Sequence, residues 1–251
     1  MKTLRKKYKL LLVLFCFATI LVFATIYSVS WLKKYQLFGE YIRKIETDRK
    51  IIALTFDDGP NPPITSEILD ILGKYKAKAT FFVLGKHAKD HIDILKKISA
   101  GGHELGNHAW SHEKLLFKSP AFVKQEIRNT DRVIKDSGYA GLIHFRSPYG
   151  GRLVVLPYLL MKSHRIHVLW NVTLKDWESP DPEEILENFK KMVTPGSIVL
   201  LHDGYVQEWE NRRNTVEALE MILREYTDKE YQFVTISELL KIGKPRSGIV
   251  F

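Results

Sequence analysis

Residues 10–32 form a run of 23 residues without a single charged side chain. No water-facing surface of a globular domain tolerates such a run. As a helix rising about 1.5 Å per residue it would reach roughly 34 Å, enough to cross a hydrocarbon core of about 30 Å. Lys2, Arg5, Lys6, Lys7 and Lys9 precede it, and Lys33 and Lys34 follow. The preceding cluster is the heavier, so positive charge predicts a cytoplasmic N-terminus and an external remainder. The expected division is a basic tail over 1–9, a transmembrane signal anchor over 10–32, a polar connector over 33–49 and one globular domain over 50–251. A cleaved signal peptide is the alternative, with Ser28-Val29-Ser30 as a weak cleavage site. Its apolar core would be about 7–15 residues, shorter than this one. Both readings export the domain, and a mature chain beginning at Trp31 would exclude the anchor. Cys16, the single cysteine, lies within the apolar run, so no disulfide framework or multi-cysteine metal site is available.

The net charge of +9 belongs to the N-terminal segment. Residues 1–50 carry 11 Lys and Arg against 3 Asp and Glu, whereas 51–251 carry 27 against 26. The globular part is close to neutral, so the basic net charge is no sign of a nucleic-acid partner, and none is expected.

Within the globular part, strand-like runs at 51–56, 79–83, 103–106, 143–146, 168–171, 198–201 and 232–235 alternate with helical patterns. The helices are expected over 64–75, 92–100, 122–137, 153–162, 182–193 and 215–226. Ser119 and Pro120 supply a cap and a first-turn proline for the third. This alternation predicts a parallel α/β architecture, either an open doubly wound sheet or a closed barrel. No GxGxxG or GxxxxGK follows a strand.

Polar residues gather just after the strand ends, where (β/α) barrels place their active sites. The first group is Thr55-Phe56-Asp57-Asp58-Gly59-Pro60. Its adjacent carboxylates would repel unless a cation or a division of roles separates them, although an Asp-rich capping turn would read the same. His108 and His112 follow the third strand, and an i, i+4 pair on a helical turn would point both rings to one side. Two imidazoles and one carboxylate leave coordination positions for water and substrate. A second such pair, His87 and His91, sits in a Lys-rich stretch and reads as surface. Arg146-Ser147-Pro148-Tyr149-Gly150 offers an arginine that could hold a carboxylate. Asp176-Trp177 follows the fifth strand, and Leu200-Leu201-His202-Asp203-Gly204 ends the sixth, where His202 could act as a general acid.

In this order at successive strand ends, the five fragments resemble the polysaccharide deacetylases, also called the NodB-homology domain, over roughly residues 50–240. The resemblance implies a distorted (β/α)7 barrel. It implies a divalent metal, most often zinc in the family with cobalt or another first-row ion possible, held by Asp58, His108 and His112. It makes Asp57 the general base, oriented by Arg146, and His202 the general acid, tuned by Asp176. Tyr149 would offer its backbone N–H to the oxyanion, while Leu200 and Trp177 would line the acetyl pocket and sugar groove. The implied reaction is removal of N-acetyl groups from a cell-wall glycan, peptidoglycan N-acetylglucosamine foremost. The alternatives are chitooligosaccharide, acetyl esters of xylan, or a lapsed carbohydrate-binding scaffold.

Two positions depart from the family. Ala109 stands where Ser or Thr is usual, so a hydrogen bond steadying that loop would be missing. Thr173 stands near a frequent acidic residue. Relatives acting on muramic acid tend to carry Arg where Tyr149 stands, which leans towards N-acetylglucosamine.

Overall fold

The computed structural model describes residues 2–31, 36, 38–205 and 212–246. An N-terminal helix, α1 (Lys2–Trp31), leads into two short strands, β1 (Tyr41–Ile42) and β2 (Lys44–Glu46). The strands β3 (Ile51–Asp57), β4 (Ala79–Val83) and β5 (Glu104–Asn107) follow, separated by α2 (Ile64–Lys74), α3 (Gly85–Ala88) and α4 (Ile92–Ala100). After α5 (Pro120–Asp136) and α6 (Val155–Lys162) come β6 (His167–Val168) and β7 (Val172–Thr173). The chain then alternates through α7 (Pro182–Met192), β8 (Ile198–His202), α8 (Arg213–Asp228), β9 (Gln232–Phe233), α9 (Ile236–Leu240) and β10 (Lys244–Arg246).

The central sheet is parallel in the order β5-β4-β3-β8-β7, and β9 pairs with the start of β3. All seven residues of β3 are buried, as a central strand covered on both faces requires. Phe56 and Phe81 stack with ring centres 5.1 Å apart in the core between this sheet and its helices. Ile68 and Leu72 of α2, Phe189 of α7 and Leu219 and Ile222 of α8 bury their apolar sides there. Parallel bridges through Phe145 join Asn107 at the end of β5 to His167 of β6, which pairs in turn with β1. Among the described residues no ladder joins β1 or β6 to β7. The architecture is therefore an α/β fold with a parallel sheet.

Two expected strands are shortened. At 143–146 only Phe145 makes bridges. Pro148 lacks an N–H, and the chain turns immediately through Pro148–Gly150 with Tyr149 at φ +58°. At 168–171 the strand stops at Val168, because the guanidinium of Arg146 takes the carbonyls of Val168 and Leu169 at 3.2 and 3.3 Å. Asn171 also leaves the ladder, and its side-chain oxygen accepts the Ile198 N–H at 2.8 Å.

Ser119 accepts from the Phe122 N–H at 3.2 Å, and α5 starts at Pro120, two residues earlier than the hydrophobic pattern alone placed it. The segment over 33–49 carries more structure than a connector. β1 pairs with β6, β2 pairs antiparallel with β10, and Gln36 is buried. Lys33, Lys34 and Leu32, at the end of the apolar run, lie outside the described residues, as do 206–211 and the last five residues. Within α1, Lys6–Ser28 is long and apolar enough to cross a membrane.

Candidate active site

The register of β3 places Asp57 level with His202 of β8 on one side and Phe82 of β4 on the other. The sheet alone thus sets a carboxylate beside an imidazole at its carboxyl edge. Asp58 is the first residue beyond β3, at φ +75°, a left-handed conformation that Asp tolerates better than most side chains. This breaks the strand's alternation, so both carboxylates reach one ring. His108 Nε2 lies 3.6 Å from Asp57 Oδ2 and 3.4 Å from Asp58 Oδ1. Gly204 makes the close approach possible, since a Cβ there would stand 2.1 Å from the Asp58 carbonyl.

His108 and His112 do not sit on a helical turn. They lie in an irregular loop after β5, in which Ala109 and His112 take φ +67° and +64°. The rings converge through these left-handed residues, with centres 5.2 Å apart. Glu126 of α5 ties the loop down, its Oε2 accepting from the N–H groups of Trp110 and Ser111 at 3.0 and 2.9 Å and from the Ser111 hydroxyl at 3.0 Å. The Ala109 N–H donates to Asn107 Oδ1 at 2.8 Å. The support expected to be missing at Ala109 is therefore supplied by Asn107 and Glu126. Thr173, the other departure, buries a hydroxyl with no hydrogen-bond partner.

Asp58, His108 and His112 together fit a divalent cation. His112 Nε2 and His108 Nε2 stand 3.3 and 3.4 Å from Asp58 Oδ1. That spacing matches the ligand-to-ligand edge of about 3.3–3.4 Å around a tetrahedral ion with bonds of about 2.0–2.1 Å. Asp58 Oδ1 is buried yet accepts no hydrogen bond, a costly state for a carboxylate oxygen without a positive partner. His108 Nδ1 lies 2.9 Å from the Arg146 carbonyl, which can only accept, so the proton sits on Nδ1 and the Nε2 lone pair faces Asp58. Burial lowers the pKa of His108, and lowers that of His112 to about 4, so both rings are neutral, as metal ligands must be. Burial also raises the pKa of Asp58 despite nearby positive groups, a cost that a cation would relieve.

Arg146 is fully buried and stacks on the Phe82 ring at 4.1 Å. Its Nη1 donates to Asp57 Oδ1 and to the Thr55 hydroxyl, each at 2.7 Å, fixing one Asp57 oxygen and leaving Oδ2 towards His108. Across the site His202 Nδ1 meets Asp176 Oδ1 at 2.8 Å, while the His202 N–H and the Thr215 hydroxyl donate to Oδ2 at 2.8 and 3.1 Å. Burial works against the charged ring of His202. The Asp176 carboxylate, with Asp58 and Asp57, outweighs it and lifts the pKa to about 9. Burial likewise opposes charge on Asp176, yet His202 holds its carboxyl below the usual range.

Tyr149 is half-exposed, its ring centre 4.7 Å from that of His112. Trp177 stands edge-on to His202 with ring centres 5.4 Å apart, and Leu200 is buried opposite Thr55 in the β8 register. The structure thus brings together nine of the ten residues singled out from the sequence, and places Leu200 on β8 two residues before His202.

It also adds residues without an expected role at the site. Besides Thr55, Glu126 and Thr215, His87 Nδ1 lies 2.8 Å from the Asp58 carbonyl, so this half-buried ring braces the metal turn rather than decorating the surface. Asp203 is buried, receives the Thr65 hydroxyl at 2.7 Å, and is pushed up to about 7 by burial. Buried Arg212 donates to the Gly204 carbonyl at 2.8 Å. His87 belongs to an HxxxH pair that could have drawn notice. Thr55 and Asp203 stood inside the quoted fragments without an expected role, Arg212 directly precedes α8, and Glu126 and Thr215 are ordinary residues on helices far along the chain.

A carboxylate and an imidazole at the carboxyl edge of a parallel sheet, beside three side chains that could hold a cation, are parts that a hydrolase can use. Comparison with known proteins identifies which one. The polysaccharide deacetylase family model matches residues 44–164. The peptidoglycan-N-acetylmuramic acid deacetylase PdaC of Bacillus subtilis is 37% identical over 205 residues, 81% of this chain, though the chain spans only 42% of that protein's length. A peptidoglycan-N-acetylglucosamine deacetylase of Bacillus cereus is 34% identical, covering 83% of this chain and 97% of the relative. A solved peptidoglycan N-acetylglucosamine deacetylase superposes with a TM-score of 0.76 at 32% identity, covering 86% of this chain and 98% of the other. The chain belongs to the polysaccharide deacetylase family, a family of amide hydrolases.

The tether from Glu126 yields a test that leaves every ligand in place. Glu126→Ala should weaken zinc affinity by roughly 10- to 100-fold, as loss of an outer-shell support typically does. Titration calorimetry with zinc would read it, and an unchanged affinity would show that the loop holds its shape without Glu126.

Proposed function

We propose that this protein hydrolyses N-acetyl groups from N-acetylglucosamine residues of a cell-wall polysaccharide, with peptidoglycan as the preferred substrate. The observation that carries this reading is the bare Asp58 Oδ1 facing two imidazole nitrogens at 3.3 and 3.4 Å. Asp58, His108 and His112 would hold one divalent ion, with zinc the preferred identity. When bound, such an ion polarises the acetyl carbonyl and lowers the pKa of water towards about 7.

The chain's own groups supply the proton traffic. Asp57, held on Oδ1 by Arg146, keeps Oδ2 free to take a proton from the attacking water. The N–H of Tyr149 donates to the oxygen that becomes negative as water adds to the acetamide carbon. A donor of this kind contributes about 3–4 kcal/mol in the transition state. His202, protonated at neutral pH, gives its proton to the departing sugar nitrogen as the carbon–nitrogen bond breaks. The products are acetate and a free amine. Asp176 keeps the His202 ring oriented and charged. Leu200 would line the acetyl pocket and Trp177 would form a wall of the sugar groove. Tyr149 is not the Arg that relatives acting on muramic acid tend to carry, which favours N-acetylglucosamine.

We further propose that this domain folds as a distorted (β/α)7 barrel. Residues 10–32 act as an uncleaved single-pass anchor with the N-terminus inside, and the domain from residue 50 onwards faces the wall. The uncharged run, its five preceding basic residues and the cell-wall substrates in the relatives' names support this topology.

Acetate release from peptidoglycan and chitooligosaccharides by the full chain tests the reading. Asp58→Ala, His108→Ala and His112→Ala should each lose metal and turnover together, whereas Asp57→Asn should keep the metal and lose turnover by at least roughly 100-fold. Wild-type turnover in Asp57→Asn would remove Asp57 as the base. The acid is tested by pH. A group that must be protonated works below its pKa and fails as pH rises through it. Asp176→Asn removes the main charge that lifts His202, so it should move the alkaline limb of kcat to lower pH. A limb that stays in place would show that another group supplies the proton.

A further inference from the structure

Gln36, Ser147 and His167 form a second buried polar chain outside the ten site residues, exposed by only 2%, 0% and 0%. His167 Nε2 faces the Ser147 N–H at 3.3 Å and the Ser147 hydroxyl at 3.0 Å. A backbone N–H can only donate, so Nε2 carries the lone pair and the ring proton sits on Nδ1. That proton is donated to Gln36 Oε1 at 3.1 Å, and the Gln36 amide donates onward to the Phe38 carbonyl at 2.7 Å. Every partner has one possible role, so the chain has a single direction. Burial, with the Arg152 and Arg146 charges nearby, holds the His167 pKa well below its ordinary value and keeps the ring neutral.

The segment braces the same turn a second time. Tyr41, fully buried in β1, lies under the guanidinium of Arg152 at 4.6 Å, and Arg152 Nη1 donates to the Gly150 carbonyl at 3.4 Å. Between the two braced points, Ser147 and Gly150, stands Tyr149 in its left-handed conformation. A non-glycine residue stays in such a conformation only where its surroundings over-determine it. Gln36 and Tyr41 provide part of that surround, although they precede β3 and are not site residues.

The geometry points to Gln36 and residues 38–42 as a brace that sets the catalytic turn at 147–151, with Gln36 as its positioning residue. This rests on the reading above in which the Tyr149 N–H serves the developing oxyanion. Gln36 and residues 38–42, between the apolar helix and β3, are then part of the active site's support. An interaction made only in the transition state shows in kcat and leaves KM alone.

Gln36→Met keeps the length of the side chain and removes both polar atoms, leaving the His167 proton unpaired. In the full chain held in detergent micelles, two quantities are measured against wild type: amide hydrogen exchange over 147–151, and kcat and KM for acetate release, with metal content and the thermal midpoint determined alongside. The brace predicts faster exchange confined to this turn and its neighbours. It also predicts a kcat lowered roughly 10- to 100-fold, the range that a misplacement of about 1 Å gives, with KM and metal content unchanged. Unchanged exchange overturns the brace, and faster exchange with wild-type kcat overturns its role in catalysis. A wild-type protein that releases no acetate speaks against the deacetylase reading itself. The exchange measurement then still decides whether Gln36 holds the turn.

Discussion

One buried residue holds the Asp57 side of the candidate site and a neighbouring histidine. The guanidinium of Arg146 fixes Asp57 and Thr55, and its backbone carbonyl takes the His108 proton. The proposed base and a proposed metal ligand are therefore positioned by the same residue, and the same side chain ends a strand by occupying two carbonyls of β6 and the loop beyond it. A fully buried guanidinium is tolerable because nearly every direction around it is satisfied: a carboxylate, a hydroxyl, two carbonyls and the face of Phe82. Removing Asp57 or Arg146 alone would leave an unpaired buried charge, typically a cost of about 3–5 kcal/mol. Stability and catalysis thus draw on one ion pair.

The pair also explains how two adjacent aspartates divide their work. Asp57, still in the β3 ladder, is neutralised from below by arginine. Asp58, one residue outside the ladder and left-handed, receives no hydrogen bond at Oδ1 and is left for a cation. Across the site His202 depends on Asp176 in the same manner that Asp57 depends on Arg146. Each reacting group is thus matched by a buried partner of opposite charge, and each partner comes from a different strand end.

Much of this was legible in the sequence, for a physical reason. Continuous apolar runs such as 51–56 and 79–83 can only be central strands, and chemistry-bearing residues at their ends fall on one edge of a parallel sheet. The alternating pattern did not distinguish an open sheet from a closed barrel, because closure depends on ladders between short strands such as β6 and β1. Hydrophobicity also misplaced the ends of two strands, where Arg146 and Asn171 use side chains in place of the ladder. The helical spacing of His108 and His112 suggested a helix, but left-handed backbone at Ala109 and His112 brings the rings together instead. Supports such as Glu126, Thr215, His87 and Gln36 act through single hydrogen bonds over long sequence separations, and composition and periodicity are blind to those. The segment at 33–49 looked like linker because its residues are polar, yet Gln36 is buried through the partners it finds there and Tyr41 lies fully buried beneath Arg152.

The central claim is that Asp58, His108 and His112 share one cation beside an Asp57 carboxylate that does not ligate it. Anomalous diffraction at the zinc edge from crystals of the zinc-loaded protein tests it most directly. A single peak is predicted about 2.0–2.2 Å from Asp58 Oδ1 and from both Nε2 atoms, with Asp57 outside the coordination sphere. A peak elsewhere, or none at this cluster at saturating zinc, would contradict the account.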